Sequence, residues 1–459
     1  MKHLFAFLFL LGITFSLSAQ SVRERILLDD GWQFAFGNAS SPEKDFGCGT
    51  EYFNYLTKAA SIHNEGPYSL KFNPEKWGVD WKMVNLPHDW VVDLPYVKEA
   101  SHSHGYKAVG YKFPENSVGW YRKTITVPQE DLGKHLYLQF DGIFRDARIW
   151  INGFYLGHEP SGYATQVYDI TEYLNYGEDN LICVRADATL EEGWFYEGAG
   201  IYRHVWLNKT APLHVAPFGT FVHSTLAAPF DKAKLTIETT VENSGLQTED
   251  YRLCHILRDA DGKEVARCET AGQPVLPKDR QLTVGEIALD KPHLWSVDAP
   301  YLYTLLTEVY QHGKLVDAYT TTTGIRDIRF DADKGFLLNG QPLKLKGVNM
   351  HQDHPGVGAG IPDALQVYRL KELKKFGCNA YRSSHNPMTP EMLDACRPPR
   401  HSCDRGKPSD GCQRRTYPLA ETHDRPRPQP SVHHPLERRQ RGVGHRVERK
   451  RYTHCCHDA

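Results

Sequence analysis

The chain predicts a multidomain protein: an N-terminal jelly-roll-like β-sandwich, an immunoglobulin-like β-sandwich, the start of a (β/α)8 TIM barrel that is incomplete as written, and a disordered C-terminal tail. Three observations carry this. Short runs of alternating apolar and polar residues, punctuated by Gly, Asn and Asp, fill the chain from about Arg25 to Ile328. Near Gly335 the period changes to strand, helix, strand. From Arg397 to Ala459 there is no Ile, Phe, Met, Trp or Asn while Arg, His and Pro dominate, a composition that cannot bury a core.

At the amino terminus, Met1-Lys2-His3 precedes the apolar run Leu4–Leu17, and Ser16, Ser18 and Ala19 supply the small residues of a cleavage site. Residues 1–19 therefore read as a secretory signal, with export to a periplasmic or extracellular location. The run is short for a transmembrane helix, and no later segment approaches about 20 continuous apolar residues, so no stable membrane insertion is expected. A net charge of -2 over 459 residues argues against nucleic acid as a partner.

Within residues 20–211, Tyr121–Val127, Leu136–Phe140 and Arg148–Ile151 alternate as half-buried strands do, and Asn152-Gly153 supplies a hairpin turn that needs positive φ. Residues 212–328 carry further strands, among them Leu235–Val241 and Tyr303–Tyr310, and their length suits one immunoglobulin-like sandwich. Cys254 and Cys268 could bridge two of these strands or remain buried free thiols. In residues 329–396, Pro342–Val348 reads as a strand. Asp363 can cap a helix with Leu365, Tyr368, Leu373 and Phe376 on one side, which Gly377 stops. Cys378–Ser383 is the next strand, and Pro390–Cys396 is helix-like. Such an alternation opens a (β/α)8 barrel, where chemistry sits at the carboxyl ends of the strands. His351 falls just past the first strand, and Arg382 and His385 close the second.

Several linked motifs recur in one order: Asn85-Leu86-Pro87-His88-Asp89-Trp90, Gly119-Trp120-Tyr121-Arg122, Gly198-Ala199-Gly200-Ile201-Tyr202-Arg203-His204-Val205-Trp206, Leu294-Trp295-Ser296, Gly347-Val348-Asn349-Met350-His351-Gln352-Asp353-His354 and Asn379-Ala380-Tyr381-Arg382-Ser383-Ser384-His385-Asn386-Pro387. Together they resemble the family 2 glycoside hydrolases, most closely the β-galactosidases. The resemblance implies retaining hydrolysis of terminal β-galactosides through a covalent glycosyl-enzyme intermediate, with a β-galactoside-containing carbohydrate as partner. It places His351 and His385 in the substrate site, Arg382 beside them, and Asn116 on a loop that the first sandwich lends to the sugar pocket. Trp90, Trp120 and Trp206 read as packing residues. No cofactor is identifiable, and the resemblance gives no support to metal ligation by His351, Asp353 and His354.

Retaining glycosidases need two carboxylates about 5 to 5.5 Å apart, one to protonate the leaving oxygen and one to attack the anomeric carbon. The family carries its acid/base in an Asn-Glu pair near the end of the fourth barrel strand and its nucleophile farther along, and this reading frame holds neither. Glu437 and Glu448 lie among arginines with no apolar strand to hold them. Residues 397–459 read as an out-of-frame tail. Codons exist for Arg397–Pro408 that, shifted by one base, spell Asp-Arg-Leu-Gly-Ile-Leu-Val-Ile-Glu-Glu-Asn-Arg, an apolar strand ending in acids. Asp424–Gly442 back-reads in the same way to a string ending in Trp-Ser-Val-Gly-Asn-Glu. The chain as written is therefore expected to be inactive. A non-enzymatic carbohydrate-binding protein is the alternative from another class, and β-glucuronidase and β-mannosidase are the alternatives within the family.

Overall fold

The computed structural model describes residues 22–48, 67–69, 72–73 and 78–396; the predicted signal at 1–19 and the tail at 397–459 lie outside the described residues. Two antiparallel sheets build the first sandwich. One orders Glu24–Leu27, Val205–Thr210, His135–Phe140 and Gln166–Asp169; the other orders Lys82–Val84, Trp32–Phe36, Val118–Thr126, Asp179–Asp187, Ala147–Ile151 and Phe154–Glu159. Asn152 and Gly153 take the positive φ values of 51° and 83° that the hairpin between the last two strands demands. Trp32, Trp120, Leu138, Phe140, Ile149 and Ile182 are fully buried between the sheets or against them. Trp120 donates its Nε1–H to Asp45 Oδ1 at 2.7 Å, and Arg185 Nε donates to Asp45 Oδ2 at 2.8 Å, so the buried carboxylate is paired.

The strand His135–Phe140 departs from its expected half-burial, because all six of its residues are buried. Its outer face is covered by the second sandwich: the His135 ring stacks on His214 at 4.8 Å, and Tyr137 lies in the field of Arg23, Tyr319 and Asp317. That second sandwich packs Leu213–Leu226, Lys232–Asn243 and Asp279–Asp290 against Glu264–Ala271, Arg252–Arg258, Tyr303–Gln311 and Lys314–Thr323. Lys232–Asn243 and Tyr303–Gln311 alternate in burial along nearly their whole length, as their sequences predict. Cys254 and Cys268 are free. Cys254 pairs across the ladder with Glu269 and Cys268 with His255, so the pleat sends the two thiols to opposite faces and no bridge can form.

A short meander, Ile328–Asp331, Gly335–Leu338 and Gln341–Pro342, leads to the barrel opening. There the parallel strands Gly347–Met350 and Ala380–Ser383 pair, with Asn349 opposite Arg382, and the helix Asp363–Lys375 crosses between them. The first strand thus starts five residues later than Pro342, since residues 343–346 make only isolated backbone bonds, such as Leu343 N to the Phe336 carbonyl at 2.9 Å, and join no ladder. The helix also differs from expectation at two points. Pro362, whose ring offers no acceptor, occupies the N-cap position, and Asp363 is the first helical residue, its carboxylate 3.1 Å from His204 Nε2. The buried stripe runs through Gln366 and Leu370, which pack toward the short helix Pro390–Ala395, whereas Tyr368 and Phe376 are 54% and 85% exposed. No described helix is long and apolar enough to cross a membrane.

Candidate functional site

The parallel strands end at Met350 and Ser383, and the segments that leave them carry His351 and His385 toward each other, with ring centroids 5.4 Å apart at 81°. Phe195, from a loop of the first sandwich, stacks on His351 at 4.6 Å and tilts against His385 at 5.7 Å. His351 Nδ1 is buried with no hydrogen-bond partner in the described structure, while the His385 side is exposed. An imidazole with an unspent donor or acceptor beside an aromatic face can take a sugar hydroxyl and the apolar face of the ring that bears it. Arg382 is exposed and reaches Ser384 Oγ and His385 Nδ1, each at 3.4 Å, and no described carboxylate pairs with it.

Asn116 stands elsewhere. Its Nδ2 donates to the Ala108 carbonyl at 3.0 Å and its own carbonyl accepts from Trp90 Nε1 at 3.0 Å, so its contacts shape the loop before Val118 and none joins the histidine pair. Trp90 and Trp120 are core residues, and Trp206 lies under the Arg25 guanidinium at 3.7 Å while donating to Asp141 Oδ2 at 2.8 Å. His354 turns its Nδ1 to the Pro355 carbonyl at 2.9 Å, and His351, Asp353 and His354 do not converge as a ligand set.

A small pocket beside the histidines is lined by Tyr163, Phe195, Tyr196, Glu197, Gln352 and Ser384 among others. Glu197 is 3% exposed. Its oxygens accept the Glu192 N–H at 3.1 and 3.0 Å and the Tyr163 hydroxyl at 3.2 Å, and burial, only partly offset by these bonds, raises its pKa. Two further residues of the same sandwich fix the loops after the strands. Arg203 donates to Gln352 Oε1 and, at 2.6 Å, to the Pro387 carbonyl, while Gln352 Nε2 donates to the same carbonyl at 2.8 Å. Asp89, buried, accepts from Val91 N, Ala199 N, Ala359 N and the Tyr196 hydroxyl at 3.0, 3.0, 2.8 and 2.8 Å. Gly358 and Gly198 press on this carboxylate so closely that a Cβ on either would fall 2.1 or 2.2 Å from Oδ2.

Phe195, Glu197, Tyr163 and Arg203 are the site residues that reading the sequence strand by strand misses, because they come from the sandwich and not from the barrel. The run Trp194-Phe195-Tyr196-Glu197, a carboxyl closing an aromatic stretch just before the Gly198 motif, is the signal that could have found the first two.

A sandwich that lends side chains to the ends of two parallel strands defines a modular multidomain protein, and comparison with known proteins gives its family. The profile for the sugar binding domain of glycosyl hydrolases family 2 matches residues 79–211, the family's central profile matches 214–326, and its TIM barrel domain profile matches 331–398. The chain belongs to glycoside hydrolase family 2. Among its relatives, a β-galactosidase of Bacteroides ovatus is 41% identical over 318 residues, 69% of this chain and 36% of that protein. A β-glucuronidase of Bacteroides fragilis is 28% identical over 416 residues, 86% of this chain and 50% of that one. The chain thus spans half or less of the length of these two relatives. Among solved structures, a family 2 member from Bacteroides cellulosilyticus superposes with a TM-score of 0.69 at 30% identity, covering 81% of this chain and 44% of the other. Bacteroides uniformis β-glucuronidase 2 does so with a TM-score of 0.66 at 26% identity, covering 82% and 41%.

Proposed function

We propose that this chain is the sugar-binding and barrel-opening part of an exported, retaining β-galactosidase, and that as written it binds without cleaving. The observation that carries the binding role is the meeting of His351 and His385 over Phe195 at the carboxyl ends of the two barrel strands. Glu197 has a raised pKa, yet its oxygens are spent on the Glu192 amide and the Tyr163 hydroxyl, which leaves it no free oxygen for acid catalysis among the described residues. A slip of one base near the Cys396 codon accounts for the missing acid/base, and the family's barrel profile ceases to match at residue 398. Export is supported by the apolar run Leu4–Leu17.

A second reading, a β-glucuronidase, is favoured by Arg382, whose exposed guanidinium beside His385 suits a uronate carboxylate. The decisive experiment has two parts. Purified 459-residue protein is assayed on aryl β-galactosides, β-glucuronides and β-mannosides, with no turnover above background expected; clear turnover refutes the inactive reading. The gene is then read and repaired in the shifted frame after Cys396. The repaired enzyme should hydrolyse β-galactosides, with kcat/KM falling roughly tenfold or more in His351→Ala and His385→Ala, and less in Asn116→Ala. Activity confined to β-glucuronides, abolished by Arg382→Ala, establishes the second reading. Glycan retention by a repaired but inactive protein establishes a carbohydrate-binding module.

A further inference from the structure

Where the first sandwich meets the second, His135 begins the strand His135–Phe140, His214 lies at the start of Leu213–Leu226, and Glu242 sits directly opposite His214 in the antiparallel ladder. The two imidazoles are 5% and 0% exposed and stacked, and one ligand atom from each of the three residues lies within 4.8 Å of the others. His214 Nδ1 donates to the Pro212 carbonyl at 3.2 Å, which fixes the tautomer and leaves Nε2, buried and without a partner, as a bare lone pair. Thr171 Oγ1, whose own proton goes to Asp169 Oδ1 at 2.6 Å or to the Leu136 carbonyl at 3.2 Å, accepts from His135 Nδ1 at 3.4 Å and leaves its Nε2 unprotonated. We infer that His135, His214 and Glu242 form a divalent-metal site, fitted to Zn2+, that ties the two sandwiches together.

Two neutral imidazoles and a carboxylate are a borderline-soft set that suits tetrahedral Zn2+, with water as the fourth ligand. The Pro212 carbonyl and the Thr171–Asp169 pair are the outer-shell acceptors that ligating histidines use to hold their rings. Tetrahedral bonds of about 2.0 to 2.1 Å put ligand atoms roughly 3.4 Å apart, so the three side chains must draw together by about 1 Å to close on the ion. Glu242 Oε2 is held by Arg280 Nε and Nη2 at 2.9 and 2.8 Å, and Oε1 is the oxygen for the ion. The cations facing the cluster are offset: Arg23 is bonded to both oxygens of Asp317 at 2.9 and 2.7 Å, and Lys278 lies 3.7 Å from Glu172.

The test is zinc titration of the chelator-stripped full chain by calorimetry, with bound metal counted by mass spectrometry and Co2+ substitution read by its visible spectrum. Wild type should bind one equivalent that Glu242→Gln and His214→Gln each weaken tenfold or more, with metal-free melting temperatures unchanged. Its Co2+ form should show tetrahedral bands without sulfur charge transfer, because no cysteine belongs to the site. Should His214→Gln fail to fold, Glu242→Gln carries the comparison alone. The inference is overturned if wild type binds no zinc, if Glu242→Gln leaves stoichiometry and affinity unchanged, or if the Co2+ spectrum is that of a thiolate site.

Discussion

The first sandwich and the barrel opening cover their apolar surfaces in opposite ways. Between its two sheets the sandwich closes a continuous core in which Leu138, Phe140, Ile149 and Ile182 lose all contact with water. The barrel opening buries only Leu370, Met392, Ala395 and Cys396 in a cluster of its own and leaves Tyr368 and Phe376 in solvent. What holds it is polar: Asp89 to Ala359, Arg203 to Gln352 and Pro387, and His204 to Asp363. One region is stabilised by removing apolar surface from water, the other by desolvated charge and hydrogen bonds donated by its neighbour, so the two should respond to different perturbations.

The largest response should be to pH, and at the junction. Burial disfavours a charged His204, but its hydrogen bonds to Asp29 and Asp363 outweigh that and raise its pKa to about 10. A folded-state pKa raised above the ordinary 6.5 gives stabilisation that is complete below about pH 6.5 and is lost as pH rises through about 10. At roughly 1.4 kcal/mol per unit the swing amounts to several kcal/mol. Proteolytic protection of residues 347–396 should therefore fall across pH 7 to 10 in wild type. It should be low and flat in His204→Gln, and equal profiles in the two proteins would remove the charged latch from the comparison.

Next comes the sandwich core, where Leu138→Ala should cost about 2 to 5 kcal/mol in the main denaturation transition. Leu370→Ala should leave that transition in place and only speed cleavage within residues 347–396; a shared loss would mean that the two regions unfold as one. Asp89→Asn keeps the shape but turns an amide NH2 toward donors that need an acceptor. It should weaken the junction by roughly 1 to 3 kcal/mol, read by hydrogen exchange at Ala359 and Ala199. Phe376→Ser should have the smallest effect, within about 0.5 kcal/mol, and should reduce self-association measured by light scattering.

The same contrast explains what the sequence disclosed. Alternation located Lys232–Asn243 and Tyr303–Gln311 because one face of each strand is buried and the other is not, and Asn152-Gly153 marked a turn by backbone chemistry alone. The pattern misled at His135–Phe140, which a second domain covers from outside, and at the crossover helix. There Tyr368 and Phe376 look like core residues, yet Gln366 faces inward to accept a hydrogen bond from Thr389 at 2.8 Å. The placement of His351 and His385 just past the strand ends was legible because strand order fixes where such ends lie. Phe195 and Arg203 were not, since their partners lie some 150 to 190 residues along the chain and no local period reports a contact of that range.

Three of the four donors to Asp89, Val91 N, Tyr196 and Ala199 N, belong to the first sandwich, and the fourth, Ala359 N, comes 160 residues after Ala199. Since the carboxylate and three of its donors lie in one domain, that domain holds the remaining lone pair in place as a docking point for Gly358-Ala359 and with them the histidine-bearing segments on either side.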